Sequence, residues 1–328
     1  MADARRGGTT GDGVGIGLPN GRNSHALYSD RKPGTTIATA DRNARKQRMN
    51  SRREFLHSAA AVSAATVLPG ALRALSGNES LDKIGLQLYT VREAMQANVE
   101  DTLTKVAAIG YREVEFAGYF GREPAKLRAT LDRLRLAAPA CHVDLADVEM
   151  RWESLATSAR TIGHRWIVVA SVEAAALTSI ASLKSLAARY NTAGRRAHDA
   201  GLRYGYHNHS VELKPVRGNV PLDILLEETD PVLVDFEMDI YWMAQGGGDA
   251  LGYFAKYPGR FRLVHAKDTS GPPRHEMRDV GTGTIDWKRI FAARKRAGIE
   301  HVFVEHEEPK AAFRSITASY RFLKALTF

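Results

Sequence analysis

Cysteine is almost absent from this sequence, since Cys141 is the single one in 328 residues. An intramolecular disulfide is therefore excluded. The glycine-rich patterns GxGxxG and GxxxxGK[ST] do not follow the first predicted strand, which removes the best evidence for a dinucleotide-binding or P-loop protein. We find no internal repeat and no sign of a second folded domain.

A strong charge is also lacking over most of the chain. The net charge is +9, but residues 1–76 contain 12 Lys and Arg against 5 Asp and Glu. The remainder holds 34 basic and 32 acidic residues, a net of +2. The basic character belongs to the amino-terminal part, so it does not argue for nucleic acid as a partner.

The amino-terminal segment lacks the pattern of a folded unit. Residues 1–48 have no apolar periodicity and predict a disordered leader or a start codon placed too far upstream.

Residues 49–76 contain SRREFL at 51–56 ahead of an apolar run at 59–72, which is typical of a twin-arginine export signal. We therefore predict the twin-arginine export machinery as a partner and a periplasmic location. The run is shorter than the ~20 residues of a spanning helix, no clean cleavage site follows it, and an uncleaved membrane anchor stays open. Met49 lies just before the motif and is our predicted translation start.

From Lys83 onward, strand-like and helix-like segments alternate. Helical stretches lie between the strands, and several stop at glycine, as at Gly110, Gly201 and Gly298. Eight strands alternating with helices over ~250 residues predict an α/β fold, a (β/α)8 TIM barrel spanning residues 77–328. The predicted strands are Ile84–Tyr89, Glu113–Phe116, Ala138–Val143, Trp166–Ala170, Arg203–His209, Val232–Glu237, Phe261–Lys267 and His301–Glu305.

Polar side chains end four consecutive predicted strands. In a TIM barrel the carboxyl ends of the strands carry the chemistry, so we expect these side chains to meet at one rim. Two imidazoles on one strand face and several carboxylates form a mixed donor set that suits Mn²⁺, Zn²⁺, Co²⁺ or Fe²⁺. The residues are His207 and His209 on the fifth strand, Asp235, Glu237 and Asp239 on the sixth, His265 and Lys267 on the seventh, and Glu305 on the eighth.

Several segments together resemble the sugar phosphate isomerase/epimerase superfamily with the xylose isomerase-like TIM barrel. They are IGLQLYTV (84–91), YGYHNHSVE (204–212), DIYW (239–242), HAKD (265–268), GTGTIDW (281–287) and VFVEHEE (302–308). The resemblance implies one divalent ion, with Mn²⁺ the first expectation, bound by a Glu, an Asp, a His and a second Glu. Carried over, three of these ligands fall on Asp239, His265 and Glu305.

The fifth-strand glutamate of the family is where this sequence departs, because its place falls on His207, with His209 two residues beyond. Either histidine is a candidate ligand. The resemblance implies that epimerases use two metal-bound glutamates as their proton-transfer pair, and only Glu305 remains here. The primary expectation is a sugar isomerase or epimerase that acts through an enediolate. The loss of one base is more easily reconciled with a single C–H deprotonation plus a separate acid, so the alternative is a lyase, hydratase or hydrolase acting on keto-sugar glycosides. A non-catalytic periplasmic sugar-binding protein is the second alternative.

Individual roles follow from these expectations. Glu305 is the candidate base next to the bound carbonyl, and His207, Glu212 and His142 complete the candidate catalytic set. A core role for the His142 imidazole is an equal alternative. The candidate contacts to a sugar or keto-sugar are Tyr89, Trp242, Lys267 and Arg278. The sequence does not settle the oligomeric state, and a homo-oligomer stays open.

Overall fold

The computed structural model describes residues 79–172 and 174–328, which contain a closed barrel of eight parallel strands. Each strand pairs with the next one along the chain, and the eighth pairs with the first. The strands are β1 Gly85–Gln87, β2 Glu113–Phe116, β3 Ala137–Val143, β4 Trp166–Val169, β5 Arg203–His207, β6 Val234–Asp239, β7 Phe261–Ala266 and β8 His301–Val304. The prediction of a (β/α)8 TIM barrel is confirmed.

Helices join the strands and cover the outside of the barrel. They are α1 Arg92–Ala97, α2 Val99–Ile109, α3 Pro124–Leu134, α4 Leu145–Met150, α5 Trp152–Ile162, α6 Ile180–Asp199, α7 Pro221–Glu228, α8 Ile240–Gln245, α9 Ala250–Lys256, α10 Trp287–Ala292, α11 Arg294–Ala297 and α12 Ala312–Ala325. Glycines follow α2, α5 and α11 with positive φ angles of 126°, 95° and 89°. Helices end readily at such residues because glycine has no Cβ to clash in this conformation.

The ends of some elements differ from the prediction for local reasons. β1 is shorter than predicted because the Gln87 side chain accepts a 3.0 Å hydrogen bond from the Tyr89 amide and starts a 3₁₀ turn. β6 begins later and runs on to Asp239, whose side chain then caps α8 by accepting from the Trp242 amide. These shifts leave the carboxyl end of each strand at the same rim.

The barrel interior is closed by side chains below the rim. Ala140, Trp166, Val168, Leu263 and Phe303 form an apolar layer inside the strands. Glycine at position 85 fits beside this layer because a Cβ there would overlap the Phe303 ring. Apolar packing therefore fills the interior beneath the carboxyl-terminal mouth.

An ion pair lies at the opposite end of the interior. Asp235 accepts two hydrogen bonds from Arg203, at 2.6 and 2.7 Å, and one from Trp166 Nε1 at 2.8 Å. Asp235, the first of the three carboxylates on β6, therefore pairs with Arg203 and lies apart from the mouth, so its expected place at the rim is wrong.

The predicted leader (1–48) and twin-arginine segment (49–76) lie outside the described residues and stay predictions. Within the described ranges, no helix combines the length and the apolar composition required to cross a membrane.

Candidate metal centre

His265 stands between two clusters of side chains that could hold a metal ion, and the two clusters share it. We call His207, Asp239, His265 and Glu305 the outer group, and Glu115, His142, Glu237 and His265 the inner group. In each group the ligand atoms lie within 4.8 Å of one another. Asp239 follows Glu237 by two residues on β6, so the outer group lies one pleat, ~6.6 Å, closer to the mouth.

The outer group contains the predicted ligand set. His207 Nε2 lies 3.4 Å from Asp239 Oδ2, while His265 Nδ1 lies 3.0 Å from Glu305 Oε2 and 3.7 Å from Asp239 Oδ2. The structure therefore brings together Asp239, His265, Glu305 and, of the two fifth-strand candidates, His207.

The environment of His207 fits a metal ligand. Its Nδ1 lies 3.0 Å from the carbonyl oxygen of Ala170, which fixes the proton on that nitrogen. Its Nε2 is buried and has no hydrogen-bond partner among residues 79–172 and 174–328. An imidazole oriented by a backbone carbonyl, with its second nitrogen free among carboxylates, is the usual arrangement of a histidine ligand. Two imidazoles and two carboxylates fit Mn²⁺, Zn²⁺, Co²⁺ or Fe²⁺ without selecting among them.

Lys267 places a fixed positive charge beside the outer group. Its fully buried ammonium lies 2.8 Å from Asp239 Oδ2, 2.7 Å from Glu305 Oε2 and 2.6 Å from Glu307 Oε1. Burial acts to lower the pKa of Lys267, but the three carboxylates outweigh it and raise that pKa well above its usual value. The pKa values of Asp239 and Glu305 lie well below their usual range, since the Lys267 charge overcomes the opposing effect of burial. Lys267 was predicted to contact substrate, and its contacts in the structure are with these carboxylates.

The inner group draws one side chain from each of four strands. His142 Nε2 lies 2.6 Å from Glu237 Oε2 and 3.4 Å from Glu115 Oε2. His265 Nε2 lies 2.8 Å from Glu115 Oε2 and 3.3 Å from Glu237 Oε2. Burial would lower the pKa of His142, but Glu115 and Glu237 raise it. His142 therefore lies next to the predicted centre, in the cluster beneath it.

The predicted candidates His209 and Glu212 lie outside both groups. The His209 ring is 4.8 Å from that of His207 and 5.3 Å from that of Trp242. Burial, reinforced by the nearby Lys267 charge, holds the pKa of His209 well below its usual value, so this imidazole is neutral near pH 7. Glu212 accepts hydrogen bonds from the Tyr206 hydroxyl and from the His209 amide. Its carboxylate thus fixes the loop after β5, and no contact places it in either group.

The remaining predicted substrate contacts do not all lie at the outer group. The backbone amide of Trp242 donates to Asp239 Oδ1 at 2.9 Å, and the indole Nε1 of Trp242 donates to Glu307 Oε1 at 3.0 Å. The indole therefore adjoins the outer group. Tyr89 follows β1, and the guanidinium carbon of Arg92 lies 4.3 Å from the centre of the Tyr89 ring. Arg278 lies on a surface hairpin with its side chain 47% exposed and is paired with Glu276. The structure shows no contact between Arg278 and the two groups.

Sequence reasoning passed over Glu115, and it placed Glu237 at the rim without choosing it as a ligand. Both are fully buried and point into the barrel. The available signal was the alternation Glu113-Val114-Glu115-Phe116 on β2, where acidic residues occupy one strand face. The Gln87 side chain donates to Glu115 Oε2 at 2.8 Å, so β1 also supports this carboxylate.

Comparisons with known proteins agree with this architecture. Residues 103–326 match the family described as the xylose isomerase-like TIM barrel. An inosose dehydratase from Lacticaseibacillus casei is 24% identical over 255 residues, covering 66% of this chain and 84% of that protein. An inosose dehydratase from Geobacillus thermodenitrificans (strain NG80-2) is 30% identical over 138 residues, which are 37% of this chain and about half, 46%, of that relative.

Solved structures share the fold at low sequence identity. A sugar phosphate isomerase/epimerase from Parabacteroides distasonis has a TM-score of 0.67 at 24% identity, covering 77% of this chain and 96% of that one. The IOLI protein, whose structure holds a zinc atom, has a TM-score of 0.60 at 16% identity, covering 73% and 95%. At these identities the likeness is one of fold.

Proposed function

Because this chain belongs to the xylose isomerase-like TIM barrel family, we propose that it is a divalent-metal-dependent enzyme acting next to the carbonyl of a sugar or keto-sugar. We propose further that it is a lyase of the dehydratase type, in which removal of the α-proton leads to loss of the β-substituent. The observation that carries this proposal is the outer group, where Glu305 is the carboxylate that retains some exposure, 6%, while Asp239 has none.

The parts have separate roles in this proposal. His207, Asp239, His265 and Glu305 would hold a divalent ion, which would supply Lewis acidity next to the carbonyl, and Mn²⁺ or Zn²⁺ suits these donors equally. Glu305 takes the α-proton and is anionic at neutral pH because the Lys267 charge outweighs burial and lowers its pKa. Lys267 holds Glu305 in place through its 2.7 Å contact and keeps its own proton.

A single candidate base favours elimination over two-base epimerisation. His207 stands where the family resemblance implies a second glutamate, and its Nδ1 contact with Ala170 reserves Nε2 for the ion. The relatives named inosose dehydratases support loss of water as the outcome. We therefore propose inosose and 3-keto-glycosides as the first substrates to test.

An isomerase or epimerase is the second candidate. It is favoured by the neutral His209 imidazole beside His207, which offers a second proton acceptor near the outer group. A structural neighbour is also named a sugar phosphate isomerase/epimerase.

One experiment separates these functions. The full chain, loaded with Mn²⁺, is incubated in D₂O with inosose, 3-keto-glycosides and simple ketoses, and the products are followed by NMR. A lyase releases water or an aglycone and leaves an unsaturated ketone, whereas an isomerase introduces deuterium beside the carbonyl without release. Binding without either change would overturn the proposal and leave a sugar-binding protein.

A matched pair of variants tests the base. Glu305→Gln should lower turnover by about 10²–10⁴-fold, the usual contribution of a general base. Glu308→Gln changes an exposed carboxylate three residues away and should leave turnover unchanged. Equal activity in both variants would remove Glu305 from the reaction.

A further inference from the structure

We propose that the inner group is itself a divalent-cation site, distinct from the outer group that the proposed function uses. Its ligands are Glu115, His142 and Glu237, with His265 as a fourth when the outer group is empty. The site would take Zn²⁺, Mn²⁺, Fe²⁺ or Co²⁺, because two imidazoles and two carboxylates form a borderline donor set.

The first argument is the spacing of the ligand atoms. Ligands at ~2.0–2.2 Å around a tetrahedral ion stand ~3.3–3.6 Å apart. In the inner group, two nitrogen-to-oxygen separations, 3.3 and 3.4 Å, match this spacing, and the other two, 2.6 and 2.8 Å, are hydrogen-bond contacts that would lengthen around an ion. The corresponding separations in the outer group are 3.0, 3.4 and 3.7 Å, so the inner side chains already converge at least as closely.

The second argument is unsatisfied hydrogen-bonding capacity. Glu115 Oε1 and Glu237 Oε1 are buried and have no hydrogen-bond partner among residues 79–172 and 174–328. Leaving a charged oxygen in this state is costly unless another group compensates it. A cation bound through Oε1 as well as Oε2 of both carboxylates removes that cost.

The third argument is the distribution of fixed positive charge. In the outer group, the ammonium of Lys267 lies 2.8 Å from Asp239 and 2.7 Å from Glu305. The ion-pair partners of Glu115 and Glu237 within the described ranges are the imidazoles of His142 and His265 alone. A divalent ion would neutralise both inner carboxylates while each imidazole stays neutral and donates its lone pair.

The shared histidine does not prevent both groups from binding. When His265 Nδ1 serves the outer group, its Nε2 can donate a proton to Glu115 Oε2, 2.8 Å away. The inner ion then keeps Glu115, His142 and Glu237, with water as a further ligand. His142 has a side chain 12% exposed, whereas the other inner side chains have no exposure, so His142 marks the route of entry. In this proposal His142 is a ligand and does not act as an acid or base.

The test counts and locates ions in the full chain. The protein is stripped with a chelator, titrated with Zn²⁺ or Mn²⁺ alone in a calorimeter, and analysed for metal after gel filtration. His142→Gln and Glu237→Gln remove inner ligands, and His207→Gln removes an outer one. We expect the inner variants to lose one ion, or to bind it at least tenfold more weakly, while His207→Gln retains that ion.

Crystals of the wild-type protein soaked in Zn²⁺ give a readout that needs no variant. Anomalous scattering between His142 and Glu237 supports the inner site. The inference is overturned if the only peak lies in the outer group, if His142→Gln and Glu237→Gln bind metal as the wild type does, or if no ion binds. Failure of the two proposals is distinguishable, because an inner peak without turnover refutes only the proposed function, and turnover with an outer ion alone refutes only the inner site.

Discussion

Lys267 offers the most direct perturbation of the outer group. Lys267→Met keeps the unbranched shape of the side chain, one heavy atom shorter, and removes the ammonium that contacts Asp239, Glu305 and Glu307 at 2.6–2.8 Å. Removing one partner of a buried ion pair costs about 3–5 kcal/mol, and Lys267 is fully buried with three such partners. In the presence of EDTA we therefore expect the free energy of unfolding to fall by at least about 3 kcal/mol.

Urea denaturation followed by circular dichroism measures this change, and Lys295→Met is the matched control. Lys295 pairs with Glu79 at 2.7 Å, but its side chain is 76% exposed, so its loss should cost no more than about 1 kcal/mol. Saturating Mn²⁺ or Zn²⁺ should stabilise Lys267→Met more than the wild type, because the ion supplies the missing positive charge to Asp239 and Glu305. If Lys267→Met unfolds within about 1 kcal/mol of the wild type in EDTA, the outer carboxylates do not depend on this ammonium and the reasoning fails.

Two further predictions concern the scaffold. Burial lowers the pKa of His164 to about 4, whereas the unfolded chain takes up this proton near pH 6.5. The free energy of unfolding should therefore fall as the pH drops from 6.5 towards 4, by about 2 kcal/mol at pH 5. His164→Asn should lose this part of the pH dependence when unfolding is followed by urea titration. Asp235→Asn leaves the part-buried Arg203 without its carboxylate and should lower the free energy of unfolding by about 3 kcal/mol. Elemental analysis should find the bound metal per chain unchanged. A loss of metal would show that the two ends of the barrel interior are coupled.

The strands could be predicted from the sequence because the residue pattern that marks each strand lies within the strand segment itself. Alternating or continuous apolar residues with glycine at the helix ends mark each unit, and the eight observed strands differ from the predicted ones only at their ends. Asp239, His265 and Glu305 could be found because parallel strands bring their carboxyl ends to one rim. The choice between His207 and His209 needed the Ala170 contact, which depends on the neighbouring strand.

The inner group and the role of Lys267 could not be predicted for a different reason. The burial of Glu115 depends on barrel closure, and a carboxylate in a short strand reads equally well as a solvated edge. Lys267 likewise resembles a surface cation until three carboxylates from β6 and the segment after β8 converge on it. Long-range contacts of this kind are not encoded in the spacing of neighbouring residues.

The central claim is that Glu305 removes a proton next to a carbonyl under the influence of an ion in the outer group. The direct measurement is the rate at which solvent deuterium enters a keto-sugar at that carbon, followed by NMR with metal-loaded wild type, Glu305→Gln and chelator-stripped protein. We predict exchange or elimination with the wild type, and a loss of at least about 100-fold in the other two samples. Equal rates in all three, or proton loss that survives both the substitution and removal of the metal, would contradict it.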